Sequence, residues 1–145
     1  MKIVVDTNVV FSAILNSQRW IGQILLHSDK SVKFYSPRFL QVEIHNHFQK
    51  IQKITKLSDS EMHELIELLY NKIHFISEEL ISKESLLIAD KLTADVDFDD
   101  MLFVALSIHL NCKLWTGDKV LVNALMKKGF KRFINTQELI EKLKK

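Results

Sequence analysis

Short β-branched runs alternating with helical stretches predict an α/β fold, a three-layer α/β/α sandwich around a central, mostly parallel β-sheet. Three observations carry this expectation. Lys2 to Val5 is an apolar run that stops at Asp6, as a buried strand does. Leu40, Ile44, Phe48 and Ile51 recur at i, i+4, i+8 and i+11, the stripe of an amphipathic helix. Met101 to Leu106 is unbroken apolar sequence inside a helical segment apolar almost all round, which has to be central.

The elements follow in order. After the first strand, Thr7 to Asn16 and Gln18 to Ser28 carry helical spacing, with Ile21, Ile24 and Leu25 marking a face. Val32 to Tyr35 reads as a second strand. Ser36 and Pro37 then read as N-cap and first residue of the striped helix, where proline's missing N–H costs nothing. Ser58-Asp59-Ser60-Glu61 starts another helix, with Met62, Leu65, Ile66, Leu68 and Leu69 as its apolar positions. Ile73 to Ile76 is a third strand and Ser82 to Leu92 a further helix. Asp97 to Leu110 is the central helix, ended by Asn111, which tolerates left-handed geometry. Lys113 to Thr116 is a strand, Lys119 to Lys128 a helix closed by Gly129, and Arg132 to Asn135 the last strand. Thr136-Gln137-Glu138 opens a terminal helix.

At 145 residues the chain suits one domain with one core. Its 47% hydrophobic and 26% charged residues argue against disordered and fibrous classes. Cys112 is the only cysteine, so an internal disulfide, a CxxC pair and a zinc knuckle are excluded, and a reducing, cytoplasmic setting is favoured. Asp6 and Asn8 interrupt what would be the apolar region of a signal peptide, and no stretch approaches the roughly 18 apolar residues of a membrane span. Trp20, Trp115 and the nine phenylalanines are expected in the core. Three glycines, none in a GxGxxG or P-loop pattern, argue against dinucleotide or ATP binding.

The chemistry lies in the acids. Asp97, Asp99 and Asp100 occupy three of four positions just where the apolar helix begins. In an open parallel sheet, ligands bind at the carboxyl ends of the strands. Asp6 ends strand one, Asp118 follows the Lys113 to Thr116 strand, and Glu43 lies in the second turn of the helix after strand two. Local roles compete for some of them: Asp97 and Asp118 suit N-caps, and Asp99 and Asp100 suit a helix dipole. No folding role is evident for Asp6, nor for Glu43 on the apolar-bordered side of its helix. Two carboxylates about 5 Å apart at an effective dielectric near 20 repel by roughly 3 kcal/mol, and four contain several such pairs. A divalent cation removes that conflict, and an all-oxygen donor set suits Mg2+ or Mn2+ rather than zinc. Setting the four acids aside leaves 20 basic against 14 acidic residues, a basic body suited to a polyanion.

Asp6-Thr7-Asn8 after the first strand, Glu43 in the helix after the second, Asp97-Phe98-Asp99-Asp100 opening an apolar helix and Thr116-Gly117-Asp118 after a later strand together resemble the PIN domain. The resemblance runs from Lys2 to about Thr136 and implies a single PIN-like domain over residues 1–145. It implies a Mg2+- or Mn2+-dependent endoribonuclease with Asp6, Glu43, Asp100 and Asp118 as its acidic quartet. Asp97 would be an auxiliary metal ligand, and Thr7, Asn8 and Thr116 supporting groups. A chain of this size is similar to the toxins of type II toxin-antitoxin pairs, which implies a homodimer held inactive by a small antitoxin protein. The chain departs from these relatives at Val120, where many carry another aspartate, and at Asn111, where glycine is common. The first departure leaves one metal or two.

Asp6 and Asp100 are expected to hold the principal cation, with Glu43 and Asp118 as further ligands or as acceptors for the attacking water. Lys127, Lys128, Lys131 and Arg132, with Lys50, Lys53 and Lys56, are the basic residues for RNA phosphates. Other chemistries fit less well. Haloacid-dehalogenase-like phosphatases need a second acid two residues after the first, where Asn8 stands. Response-regulator receivers need a phosphoacceptor after strand three, where Ser77-Glu78-Glu79 supplies none. His45 and His47 form no HExxH motif and, two apart, share no helix face. A non-catalytic nucleic-acid- or partner-binding module on the same fold is the remaining alternative.

Overall fold

A computed structural model describes residues 1–144. Five strands form one sheet in the order β3-β2-β1-β4-β5: β1 (Lys2–Val5), β2 (Lys33–Pro37), β3 (Ile73–Ile76), β4 (Lys113–Trp115) and β5 (Phe133–Ile134). All four pairings are parallel. The expected "mostly parallel" sheet is therefore parallel throughout. The helices are α1 (Thr7–Leu15), α2 (Trp20–His27), α3 (Phe39–Asn46), α4 (Phe48–Thr55), α5 (Asp59–Tyr70), α6 (Lys83–Thr93), α7 (Met101–Leu110), α8 (Lys119–Lys127) and α9 (Thr136–Leu143).

Right-handed crossovers place α1 to α5 on one face and α6 to α8 on the other. The packing agrees, since α1 touches α2, α3, α4 and α5, whereas α7 lies on β1, β2 and β4 with α6 against it. Contact with α2 adds α9 to the first face. The core runs through both layers: Val4, Val5, Phe34, Leu114 and Trp115 on the strands, Leu40 and Leu69 on one side, Val104 to Leu106 on the other. Chain order reverses between β1 and β4, and parallel sheets form their ligand crevice at the carboxyl edge of such a switch point.

Several expected boundaries move. Pro37 does not open a helix; it ends β2, opposite Ile76. The ladder between β1 and β2 has already stopped at Val4 and Tyr35, so proline's absent N–H leaves no partner wanting. The stripe from Leu40 to Ile51 is real, but two helices share it, broken at His47. Asp97 does not start the central helix: Phe98–Asp100 is a 3-10 turn, with α7 following. A second such turn at Glu78–Leu80 was not expected. Asn111 ends α7 in the left-handed region and Gly129, at φ +90, closes α8, as anticipated.

Two aromatic expectations fail. Trp115 is fully buried and donates its indole N–H to the Thr136 hydroxyl at 3.1 Å, but Trp20 is 66% exposed and Phe98 72% exposed.

With Pro37 in the strand, α3 lacks a cap of its own. Glu78 supplies one from 39 residues away, accepting the Phe39 N–H at 2.7 Å. Glu78→Ala is expected to cost about 1 kcal/mol in urea unfolding, and Glu78→Gln, which keeps an acceptor, to recover most of it.

Candidate active site

Asp6 leaves the carboxyl end of β1, and its N–H donates to the Trp115 carbonyl at 3.3 Å, which sets it beside the end of β4. One carboxylate oxygen accepts the Val9 N–H at 3.0 Å, capping α1. Asp6 thus has the folding role that its sequence position did not suggest. Asp118, past β4, caps α8 by accepting the Leu121 N–H at 3.1 Å. Its own N–H donates to the Thr116 hydroxyl at 3.0 Å, and that hydroxyl also favours the charged form of Asp6. One buried threonine therefore ties together the two acids that end neighbouring strands.

Glu43 arrives from α3 and accepts the Thr7 hydroxyl at 2.5 Å. Asp97 caps the 3-10 turn through the Asp99 N–H at 3.0 Å. Asp100 sits at the N-cap position of α7 and, unlike the other aspartates that begin helices, makes no side-chain cap bond.

Asp6, Glu43, Asp97, Asp99, Asp100 and Asp118 line a single cleft of about 120 Å³, with Thr7, Asn8 and Phe103. Thus the structure gathers the whole acidic quartet, and it includes Asp99, whose position suited a helix dipole. Proton affinities register the crowding. Burial, and then repulsion from Asp118, Asp97, Asp6 and Glu43, push Asp100 up to about 7. Burial raises Asp6 to about 6, and the Thr116 hydroxyl and the Val9 N–H moderate the rise. Glu43 is raised as well, first by burial and also by Asp99 and Asp97, against the Thr7 hydroxyl and His47.

These shifts fix a sign. Asp6 and Asp100 bind protons in the folded chain at pH values where the unfolded chain has released them, so stability is fullest below about pH 4 for these groups and falls as pH rises through 6 and 7. In chelator, the loss between pH 5 and pH 8 is expected to be on the order of 3 kcal/mol after allowing for solvent screening of the half-exposed Asp100. A melting temperature flat across that window would contradict the reading.

All the donors are carboxylate oxygens, which suits a hard divalent cation. Among the described residues no three His, Cys, Asp or Glu side chains stand close enough to hold an ion as placed. Cap bonds hold Asp6, Asp97 and Asp118 by one oxygen each. The donor set fits such an ion in chemistry.

The sequence model of the family described as PIN domain matches residues 4–142. The chain belongs to the PIN domain family. No curated protein matches it at sequence level. Among solved structures, this PIN domain is similar to VapBC2 from Rickettsia felis, described as bound to a DNA fragment from their promoter, at 13% identity and a TM-score of 0.66, covering 93% of this chain and 98% of that one. VapBC-1 from nontypeable Haemophilus influenzae gives 14% identity, a TM-score of 0.66, and coverage of 94% and 99%. At such identities the likeness is one of fold.

The basic residues of the PIN domain separate. Lys50 lines a cleft next to Asn8. Lys131 and Arg132 precede β5, which puts them at the amino edge of the sheet, away from the carboxylates. Arg132 donates to the Asn111 side chain, and Lys128 pairs with Asp95 and donates to the Leu92 carbonyl at 2.8 Å. Lys128 and Arg132 therefore join elements of the fold. Lys53 and Lys127 are exposed, outside the clefts described, and Lys56 ends α4 in the left-handed region. His47 offers its Nδ1 to the Glu43 carbonyl at 2.9 Å and meets the Phe11 ring edge-on, as a partly packed histidine.

Glu78 and Phe98 are residues that sequence reasoning missed. Glu78 carries no local signal, because its partner is on another element. Phe98 had one: an aromatic residue flanked by Asp97 and Asp99 has charged neighbours that do not follow it into a core.

Proposed function

We propose that this PIN domain is a divalent-cation-dependent endoribonuclease and the toxin of a type II toxin-antitoxin pair. The observation that carries the first part is the convergence of Asp6, Glu43, Asp100 and Asp118 in one cleft at the switch point, with Asp100 pushed to about 7 by burial and by its acidic neighbours. Charge is being stored there at a cost to the fold, and a phosphodiester nuclease uses such a store.

Asp6 and Asp100 hold the cation, and Asp118 and Asp97 close the site around it. A bound Mg2+ or Mn2+ supplies a lowered pKa for the attacking water and neutralises charge on the phosphoryl group. Glu43 has one oxygen held by Thr7, which leaves the other to orient the water and take its proton, a task suited to a carboxyl whose pKa is raised. Thr7 and Thr116 keep the acids in register, and Asn8 stands at the mouth.

The second part rests on the fold likeness to two VapBC structures, together with the toxin-like size of the chain. A small antitoxin, a homodimer, a single domain over residues 1–145 and a cytoplasmic location belong to the same proposal. Among the described residues no helix is long and apolar enough to cross a membrane.

The test is a fluorogenic RNA assay with Mg2+, Mn2+ or excess chelator. Cleavage that appears with either ion and disappears in chelator is expected. RNA binding without cleavage under any of these conditions would establish the non-catalytic alternative instead. An adjacent reading frame for a small DNA-binding protein would supply the antitoxin.

A further inference from the structure

Two larger clefts flank the carboxylates, and α1 walls both. One, of about 420 Å³, lies between matching faces of two helices: Asn8, Phe11 and Ser12 on α1 look across at His47, Lys50 and Ile54 along α4. The other, of about 500 Å³, has Asn8, Ser12 and Ile21 opposite Asp118, Lys119 and Val120 at the start of α8. Asn8 lines all three spaces, and Asp118 lines both the second cleft and the carboxylate cleft. The three spaces adjoin at Asn8, in the first turn of α1.

Charged and apolar side chains share the flanking clefts. Each flanking cleft brings one exposed lysine, Lys50 on one side and Lys119 on the other, and neither is in an ion pair among the described residues. Each also brings an apolar side chain left in water, with Ile54 60% and Val120 73% exposed. A polyanion laid beside carboxylates gains from cations that hold its neighbouring charges, and here one lysine stands in each flanking cleft.

We infer that Lys50 and Lys119 bind the phosphates on either side of the scissile linkage of a single-stranded RNA, and that the two flanking clefts receive the adjoining nucleosides against their apolar walls. This rests on the ribonuclease reading and adds to it the path of the substrate. A single strand is required because bases enter such clefts only when unstacked, whereas a duplex presents backbone alone. Among the basic residues it selects Lys50 from the sequence-expected set, adds Lys119, and removes Lys131 and Arg132 from the substrate path.

The experiment measures binding and cleavage separately. Fluorescence anisotropy with a labelled single-stranded oligoribonucleotide uses the full chain carrying Asp100→Asn, and the lysine changes are made in that background and in the parent. Lys50→Ala and Lys119→Ala are each expected to weaken binding about 5-fold at 0.1 M salt and to flatten the salt dependence by a slope of about 0.7, the share of one phosphate contact to a single strand. Lys83→Ala, on the exposed side of α6, should leave binding unchanged. Circular dichroism melts of each variant exclude unfolding as the cause. If the parent cleaves RNA with metal but both lysine variants bind and cleave as it does, the assignment is overturned and the ribonuclease reading stands. If binding depends on both lysines but no metal produces cleavage, the path is upheld and the ribonuclease reading falls. An oligomer that does not bind at all overturns the path.

Discussion

Asp100→Asn is expected to abolish cleavage and, in chelator at pH 8, to make the chain more stable than the parent. The two effects come from one cause. Asp100 is the aspartate at a helix start with no cap bond to satisfy it, and its pKa rises from 3.8 to about 7 because burial and four neighbouring carboxylates oppose its charge. Counted without screening, such a rise is worth about 4 kcal/mol at high pH, and a half-exposed group retains roughly 1–2 kcal/mol of it. Asparagine keeps the shape and removes the charge, so that amount returns to the fold. A cation that loses one ligand loses several kcal/mol of transition-state stabilisation, which at 1.36 kcal/mol per decade is about 10³-fold in rate. Urea unfolding at pH 8 and pH 5 reads the first effect: the gain should be largest at pH 8 and smaller at pH 5, where the folded chain holds the Asp100 proton but the unfolded chain has released it, and it should vanish only below about pH 4. Single-turnover RNA cleavage reads the second. An Asp100→Asn variant less stable than its parent at pH 8 would mean that Asp100 is a structural residue.

What the sequence made legible is what its local physics decides. Lys2 to Val5 had to be a strand because β-branched residues without polar interruption have nowhere else to go, and Asp6 had to lie at its end. Asn111 and Gly129 were readable as stops because each tolerates a left-handed backbone. The convergence of the four acids was readable because Asp6 and Asp118 follow strand ends while Glu43 and Asp100 lie early in elements that start from the same predictable edge. Pro37 misled because Ser-Pro is a local signal for a helix start, and the cap that decides the matter, Glu78, comes from beyond β3. Trp20 was assigned to the core by residue type, although a residue that opens a helix sits where exposure is easiest. The sorting of lysines needed three dimensions. Lys50 and Lys53 are three residues apart, and only Lys50 is on the face of α4 turned to α1. Lys131 and Arg132 are close to Asp118 in sequence, but a full helix returns the chain to the other edge of the sheet before β5 begins.

Asp6 allows its proposed catalytic role to be separated from its structural one. Its carboxylate caps α1 through Val9 and lines the acidic cleft. Asparagine also caps well, so Asp6→Asn retains the acceptor for Val9 while removing the charge that burial opposes. Asp6→Asn is expected to melt at or above the parent temperature in chelator and to lose cleavage by a factor on the order of 10³. Asp6→Ala removes the charge and the cap together. The cap is worth about 1 kcal/mol, so the alanine chain should be less stable than the asparagine chain by that amount while being equally inactive. The comparison is decisive because the two variants share a catalytic defect and differ in one hydrogen bond. Retained cleavage in Asp6→Asn would remove Asp6 from the metal site and leave it a helix cap. Equal stability of the two variants would instead show that Val9 does not depend on the carboxylate, and that the charge is kept at the end of β1 for chemistry alone.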